Sequence, residues 1–283
     1  LVEKIALLTD SACDLPKELI EQFCIKVLPL SVIYPDKIYQ DRVNIQPQEV
    51  YDRMPDEIPT TSMPTPREIS TILEEIRDQG FTHVLAVHLS SGLSGTYEAV
   101  RMVAKDFEDM VIKVVDTRTL SIATGWMALE AARDIAAGLS FQTIIENIQQ
   151  LQSRINIYYV LETLEYLRRG GRIGSVAAML GQFLHLKPII SVNTEGKYFT
   201  YCKARGRQKS IEKLAEIVET AVQKGPIIKL AVMHGGARDE FQRLLERLQQ
   251  LPNIKELIAS DISPALGVHT GPGLLGVCVV EQN

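Results

Sequence analysis

Along the first half of the chain, short aliphatic and β-branched runs alternate with stretches whose apolar residues recur at helical spacing. Lys4–Leu8 reads as a buried strand, followed by a polar turn at Thr9-Asp10-Ser11. Asp14 and Pro16 open a helix over Lys17–Phe23, Val27–Tyr34 reads as one strand, and Pro35–Gln40 as a turn with a short return strand. Thr60–Pro66 combines hydroxyls with two prolines and reads as a stiff loop. It runs into Thr65-Pro66-Arg67-Glu68, a capping box with proline at the first helical position, which predicts a helix over Pro66–Gln79. A strand at Val84–Val87, a serine- and glycine-rich turn, a helix and a strand at Val111–Val115 follow, then helices over Ser121–Ala137 and Phe141–Arg154.

This order predicts an α/β fold: an N-terminal domain, 1–155, with a mostly parallel sheet between helices. Ligands in such sheets bind beyond the carboxyl ends of the strands. Ser11, the Ser90–Ser94 turn and Asp116-Thr117 all fall at such ends and are expected to share one rim. After Ile155 the pattern changes. Pro188–Asn193 and Lys197–Cys202 form a hairpin around Glu195-Gly196, and helices over Arg207–Gln223 and Arg238–Leu248 separate strands at Ile227–Val232, Leu257–Ala259 and Leu274–Val280. Residues 156–283 are therefore expected to form a C-terminal α+β domain.

Composition narrows the chemistry. With 46% apolar residues and a net charge of −5, the 283-residue chain can build sizeable cores and lacks the basic surplus of a nucleic-acid binder. No apolar run approaches a membrane span and no signal-peptide pattern opens the sequence, and the scattered cysteines make a reduced cytoplasm the expected location. Cys13, Cys24, Cys202 and Cys278 are scattered without metal-ligand spacing, so no metal is expected. Three of them, all but Cys13, read as small buried hydrophobes, whereas Cys13 lies in a turn. No Walker loop or dinucleotide fingerprint occurs, and no cofactor is expected.

Gly92-Leu93-Ser94-Gly95-Thr96 admits three readings. Ser94 sits where a nucleophile elbow would place its serine, but Thr96 replaces the final glycine of that pattern. A small turn opening a helix also offers unpaired N–H groups and the positive end of the helix dipole to a carboxylate or phosphate. Ser94 as a plain helix cap is the third reading. Arg168, Arg169 and Arg172 close a helix, where arginines meet the dipole; that accounts for Arg168 and Arg169 but not for Arg172 or the basic run Lys203–Lys209, which suggest a partner-docking or phosphate-facing surface.

The motifs Thr9-Asp10-Ser11-Ala12-Cys13-Asp14-Leu15-Pro16, Thr61-Ser62-Met63-Pro64, Ser90-Ser91-Gly92-Leu93-Ser94-Gly95-Thr96-Tyr97, Val115-Asp116-Thr117, Glu162–Ile173, Leu186–Ile190, Lys203–Arg207 and His269-Thr270-Gly271-Pro272-Gly273 together resemble the DegV family across the whole chain. That resemblance implies a two-domain protein, not an enzyme by itself, binding one long-chain fatty acid in a tunnel between its domains. It further implies the fatty-acid-binding subunit of a bacterial fatty acid kinase, which presents the carboxylate to an ATP-binding partner and carries acyl phosphate toward phospholipid synthesis. Transient membrane contact is compatible with that role. By motif, Thr61 and Ser94 would bond the carboxylate, with Ser62 and Gly95 beside it and His269 and Thr270 near the head group. Arg172 and Arg205 match positions for kinase docking or phosphate handling. Met63, Phe183, Leu184, Ile189 and Leu266 flank the motifs and are candidate tunnel residues. The alternatives are a lipid carrier or sensor with no kinase partner, and a serine acyl hydrolase using Ser94 with His269.

Overall fold

Strand burial separates the centre of the first sheet from its edge. Ile5–Asp10 (β1) and His83–His88 (β6) are almost wholly buried, whereas Val111–Asp116 (β7) alternates. The computed structural model describes residues 3–179, 186–225 and 227–281. Between β1 and β6 lie Lys17–Gln22 (α1), Lys26–Leu28 (β2), Ser31–Ile33 (β3), Ile38–Gln40 (β4), Pro47–Arg53 (α2), Thr60–Ser62 (β5) and Pro66–Asp78 (α3). Thr96–Val103 (α4) connects β6 to β7, and Ser121–Ala136 (α5) and Phe141–Gln152 (α6) follow. The first sheet is parallel throughout, in the order β2-β1-β6-β7. Its Ala6, Leu8, Val84 and Ala86 face Ile69, Leu73 and Ile76 of α3 and Val100 of α4. The alternate residues Leu7, Leu85 and Val87 join the core of α5 and α6. The period-2 pattern thus buries both faces, as a parallel sheet between helices requires.

The remaining elements are Ile155–Val160 (β8), Glu165–Arg169 (α7), Leu186–Val192 (β9), Tyr198–Arg205 (β10), Gly206–Lys224 (α8), Ile227–Gly235 (β11), Arg238–Leu248 (α9), Glu256–Asp261 (β12), Pro264–Thr270 (α10) and Leu274–Glu281 (β13). They build a mixed sheet in the order β10-β9-β8-β13-β11-β12, antiparallel except for β11 and β12. Val160, Leu230, Val232, Leu275 and Val277 pack against Leu214, Val218, Leu244 and Leu248 of α8 and α9. The opposite face contributes Ile157, Tyr159, Ala231, Met233 and Cys278 to the same core as α5. Helix α5 lies between the two sheets and is buried almost all round, with Trp126, Met127 and Leu129 fully enclosed. Arg133 of α5 clasps Glu256 of β12 through two hydrogen bonds of 2.8 and 2.6 Å.

Several local expectations are corrected. Val27–Tyr34 is not one strand: β2 belongs to the parallel sheet and β3 to a small antiparallel sheet, β4-β3-β5. Pro29 has no N–H to continue the ladder, and the next N–H, Leu30, donates to Ser11 Oγ at 3.0 Å. Thr60–Ser62 is a strand rather than loop, because β3 supplies partners for its backbone. β1 continues through Thr9 and Asp10, and the turn at Ser11–Cys13 is a short 3-10 helix. Cys24 is exposed, on a backbone with φ of 51°, not a buried hydrophobe. Two helices escaped the sequence reading: α2, opened by Gln46-Pro47 with Glu49 closing a capping box, and α10, opened by Ser263-Pro264. The capping box of Thr65 and Glu68 forms as expected.

Candidate functional site

The carboxyl ends of β1, β6 and β7 form the expected rim, held together by side chains. Asp10 Oδ2 accepts from Leu89 N at 2.9 Å and lies 3.0 Å from His88 Nδ1, and its Oδ1 accepts from Ala12 N at 3.1 Å. Ser91 Oγ donates to Asp116 Oδ2 at 2.6 Å. Ser90 Oγ accepts from Gly92 N at 3.0 Å and donates to the Gly196 carbonyl at 2.8 Å, so the β9–β10 hairpin tip rests on the turn. A Cβ on Gly92 would lie 2.8 Å from Glu195 O, and one on Gly196, whose φ is +74°, would lie 1.9 Å from Ser90 Oγ. Only glycine allows this approach. Thus Ser90 and Ser91 fix the turn, and Ser94, further along, is left facing a cavity.

That cavity has a volume of ≈ 250 Å³. Thr61, Ser62, Ser94, Gly95, Arg172 and His269 supply its polar lining; Leu30, Leu89, Leu93, Tyr198, Ala265 and Leu266 supply the apolar lining, with Met63 beside the polar group. Ser62, Met63 and Gly95 are exposed, whereas Leu30, Leu89, Tyr198 and Leu266 are buried, so the polar end opens to solvent and the apolar end points inward. Thr61, on β5, and His269, in the last turn of α10, meet at 2.7 Å between Oγ1 and Nε2. Burial, reinforced by the nearby Arg172 cation, pushes the His269 imidazole down to about 4. It is therefore neutral near pH 7. Arg172 reaches across to the turn, its Nε donating to Leu93 O at 3.1 Å and its Nη1 to Gly170 O at 2.7 Å. The arginine that the motif reading assigned to docking or phosphate handling thus stands in the cavity wall.

Ser94 Oγ lies 2.9 Å from Thr96 Oγ1 and accepts from Thr96 N at 3.3 Å, so it also caps the start of α4. Among the described residues no histidine bonds Ser94, and the His269 nitrogen facing the cavity is engaged by Thr61. A nucleophile needs a base within reach, and this geometry supplies donors instead. Thr270 does not line the cavity; it is buried and donates to Leu266 O at 3.1 Å within α10. Arg205 ends β10, exposed and outside the cavity. Met63 and Leu266 line the cavity, Ile189 packs in the core behind α8, and Phe183 and Leu184 lie outside the described residues.

A family model described as "Uncharacterised protein, DegV family" matches residues 4–282. The chain belongs to the DegV family. It is 43% identical to a DegV domain-containing protein of Clostridium acetobutylicum over 281 residues, 99% of this chain and 100% of that one. It is similar to the solved structure of a fatty-acid-binding DegV family protein from Thermus thermophilus, with a TM-score of 0.92 and 30% identity over 99% of this chain and 100% of that one. The same coverage, with a TM-score of 0.91 and 30% identity, relates it to DegV, a fatty acid binding protein from Bacillus subtilis.

For this DegV family chain, the opening T-D-S motif is explained by architecture. Thr9 Oγ1 donates to Val87 O at 2.8 Å, Asp10 holds the Leu89 turn, and Ser11 Oγ links Leu30 N to Asp41 Oδ2 at 3.0 and 2.7 Å. Cys13 is buried behind this rim, and desolvation pushes its thiol up to about 12, so it is no nucleophile. Leu30, Leu89, Leu93, Tyr198 and Ala265 were missed as cavity residues because each carries only a local signal of burial. The Asp10–His88 pair was missed because strand pairing, not spacing, brings its members together.

Proposed function

We propose that this protein binds a long-chain fatty acid, with its tail in the cavity and its carboxylate at the mouth, and presents that carboxylate to a partner acyl kinase. The acyl phosphate then leaves with the protein toward phospholipid synthesis in the cytoplasm, with transient contact at a membrane surface. Residues 1–155 and 156–283 act as two domains closed on the tail. The observation that carries the reading is the convergence of Thr61, Ser62, Ser94, Gly95, His269 and Arg172 at the solvent end of an otherwise apolar cavity. The fatty acid binding of the Thermus thermophilus and Bacillus subtilis proteins supports the ligand class.

The chemistry follows from the residues. A carboxylate taken from water needs hydrogen-bond donors. Thr61 donates to the carboxylate when His269 carries its proton on Nε2, because the imidazole then donates to Thr61 Oγ1 and frees the hydroxyl hydrogen. Ser94 turns its hydroxyl from Thr96 to the same anion, and Arg172 adds positive charge. The tail supplies the larger driving force: at ~0.8 kcal/mol per buried methylene, about 14 methylenes give roughly 11 kcal/mol before ordering costs. The head-group residues thus set orientation, tail inward and carboxylate outward, which suits delivery to a second protein.

Organic-solvent extraction of purified protein followed by mass spectrometry tests the ligand. A stoichiometric long-chain fatty acid is expected; an empty extract together with no uptake of added palmitate overturns the reading. Adding ATP and the cognate kinase subunit, and trapping acyl phosphate with hydroxylamine, tests the kinase role. A bound lipid without acyl phosphate would leave a carrier. Labelling of Ser94 by a fluorophosphonate would instead favour the hydrolase.

A further inference from the structure

The His234-Gly235-Gly236 turn that ends β11 has no part in the cavity lining, yet it converges with Gly267 of α10 on one side chain from α2. A Cβ on Gly235 would lie 2.5 Å from Tyr51 Oη, one on Gly267 2.8 Å from the same atom, and one on Gly236 3.4 Å from Tyr51 Cδ2. Three glycines therefore form a slot, and the Tyr51 ring, 7% exposed, fills it. The Tyr51 hydroxyl is closed off from solvent and has no hydrogen-bond partner among the described residues. It contributes shape rather than a bond. Just ahead of α10, Asp14 Oδ1 accepts from the N of its N-cap Ser263 at 2.8 Å, and Arg42 Nη2 donates to the carbonyl of Asp261, the last residue of β12, at 2.5 Å. Residues from the N-terminal part of the chain thus hold α10 at its N-cap and at its middle.

The chain order gives these contacts a consequence. Tyr51 and Thr61 lie on one continuous segment, α2 leading into β5, and Gly267 and His269 lie on α10. The Tyr51–Gly267 contact and the Thr61–His269 hydrogen bond therefore join the same two segments at two points. We propose that Tyr51 is a positioning residue: by filling the slot of Gly235, Gly236 and Gly267 it seats α10 and so sets the Thr61–His269 pair at the mouth of the cavity. This rests on the reading of that pair as the head-group site. A close-packed contact suits the task, since interiors resist small displacements and a binding site needs its first contacts held to a fraction of an ångström.

The test is a rescue cycle. Gly235→Ala places a methyl against Tyr51 Oη, and Tyr51→Phe removes that atom, leaving Tyr51 Cζ 3.2 Å from the new methyl. Two readouts are taken: palmitate affinity, and the titration of the His269 imidazole by NMR in lipid-free protein. Gly235→Ala is expected to weaken palmitate binding by about tenfold or more and to move the His269 titration upward, as a displaced ring gains water. Gly235→Ala with Tyr51→Phe is expected to recover both readouts toward the wild type, because the new methyl occupies the space that Oη vacates. Wild-type behaviour of folded Gly235→Ala, or a double variant as impaired as the single one, overturns the proposal. If Gly235→Ala does not fold, Tyr51→Leu replaces it, and an unmoved His269 titration in that variant overturns the proposal. A merely structural Tyr51 would lower stability without moving His269. Should the wild type fail to bind palmitate, the proposed function falls while the titration still decides the positioning claim.

Discussion

His269 offers a sharp test of how closed the mouth of the cavity is. Its imidazole is held at about 4 against an ordinary 6.5, first by burial and then by Arg172. At about 1.4 kcal/mol per pH unit, that difference corresponds to about 3 kcal/mol of pH-dependent stability. The sign follows from proton counting. Above pH 6.5 both folded and unfolded chains carry a neutral imidazole, and the contribution is fully present. As pH falls, the unfolded chain takes up a proton that the folded chain refuses until about pH 4, so stability is lost across that window. Asp41 runs the other way: burial, outweighing its bond from Ser11, raises it from 3.8 to about 7, so its contribution is lost as pH rises through about 7. Asp14 is also raised by burial and adds to that opposing slope. The wild-type curve alone therefore conceals each contribution, and the informative quantity is the difference between wild type and His269→Gln. Urea unfolding at intervals from pH 4 to pH 8 is expected to show wild type losing about 3 kcal/mol relative to the variant as pH drops from 6.5 to 4. The carboxylates are common to both proteins and cancel. A flat difference would mean that His269 titrates as in water, and the picture of a desolvated ring behind Thr61 would be wrong.

Asp41→Asn should expose the opposite behaviour, since wild type then loses stability relative to the variant as pH rises from about 4 to about 7, read by the same unfolding series. Thr61→Val and Ser94→Ala should each weaken palmitate binding by ~1–3 kcal/mol, the cost of leaving a partly desolvated carboxylate at the mouth short of one donor, measured by fluorescence displacement; unchanged affinity in both would remove the cradle. Arg205→Ala, at an exposed position outside the cavity, should leave palmitate affinity unchanged and lower acyl phosphate formation with the kinase subunit, whereas Arg172→Ala should lower affinity itself. Gly196→Ala should destabilise the protein by at least ~2 kcal/mol in denaturant unfolding, because a left-handed backbone and a clash with Ser90 Oγ coincide there.

Local signals settled much of this protein. The proline-led capping box at Thr65–Glu68 specifies the start of α3, because cap and partner lie within one turn. Alternating strands and helices specify a parallel sheet with a shared rim at its carboxyl ends, and Glu195-Gly196 specifies the hairpin. The hydroxyls of Thr61 and Ser94 were legible as candidate binding groups from their motifs, and the fold brings both to one cavity. Tertiary structure decided what each segment meets. Thr60–Ser62 is a strand only because β3 is there to pair with it, and Val27–Tyr34 divides because Leu30 N finds Ser11 rather than a neighbouring strand. Thr61 and His269, 208 residues apart in sequence, become one unit only when α10 is seated against α2 and β5. Hydrophobic periodicity reports that a face is buried, not which face it is buried against. For that reason the cavity, the place of Arg172 in its wall, and the glycine slot around Tyr51 belong to the folded chain alone.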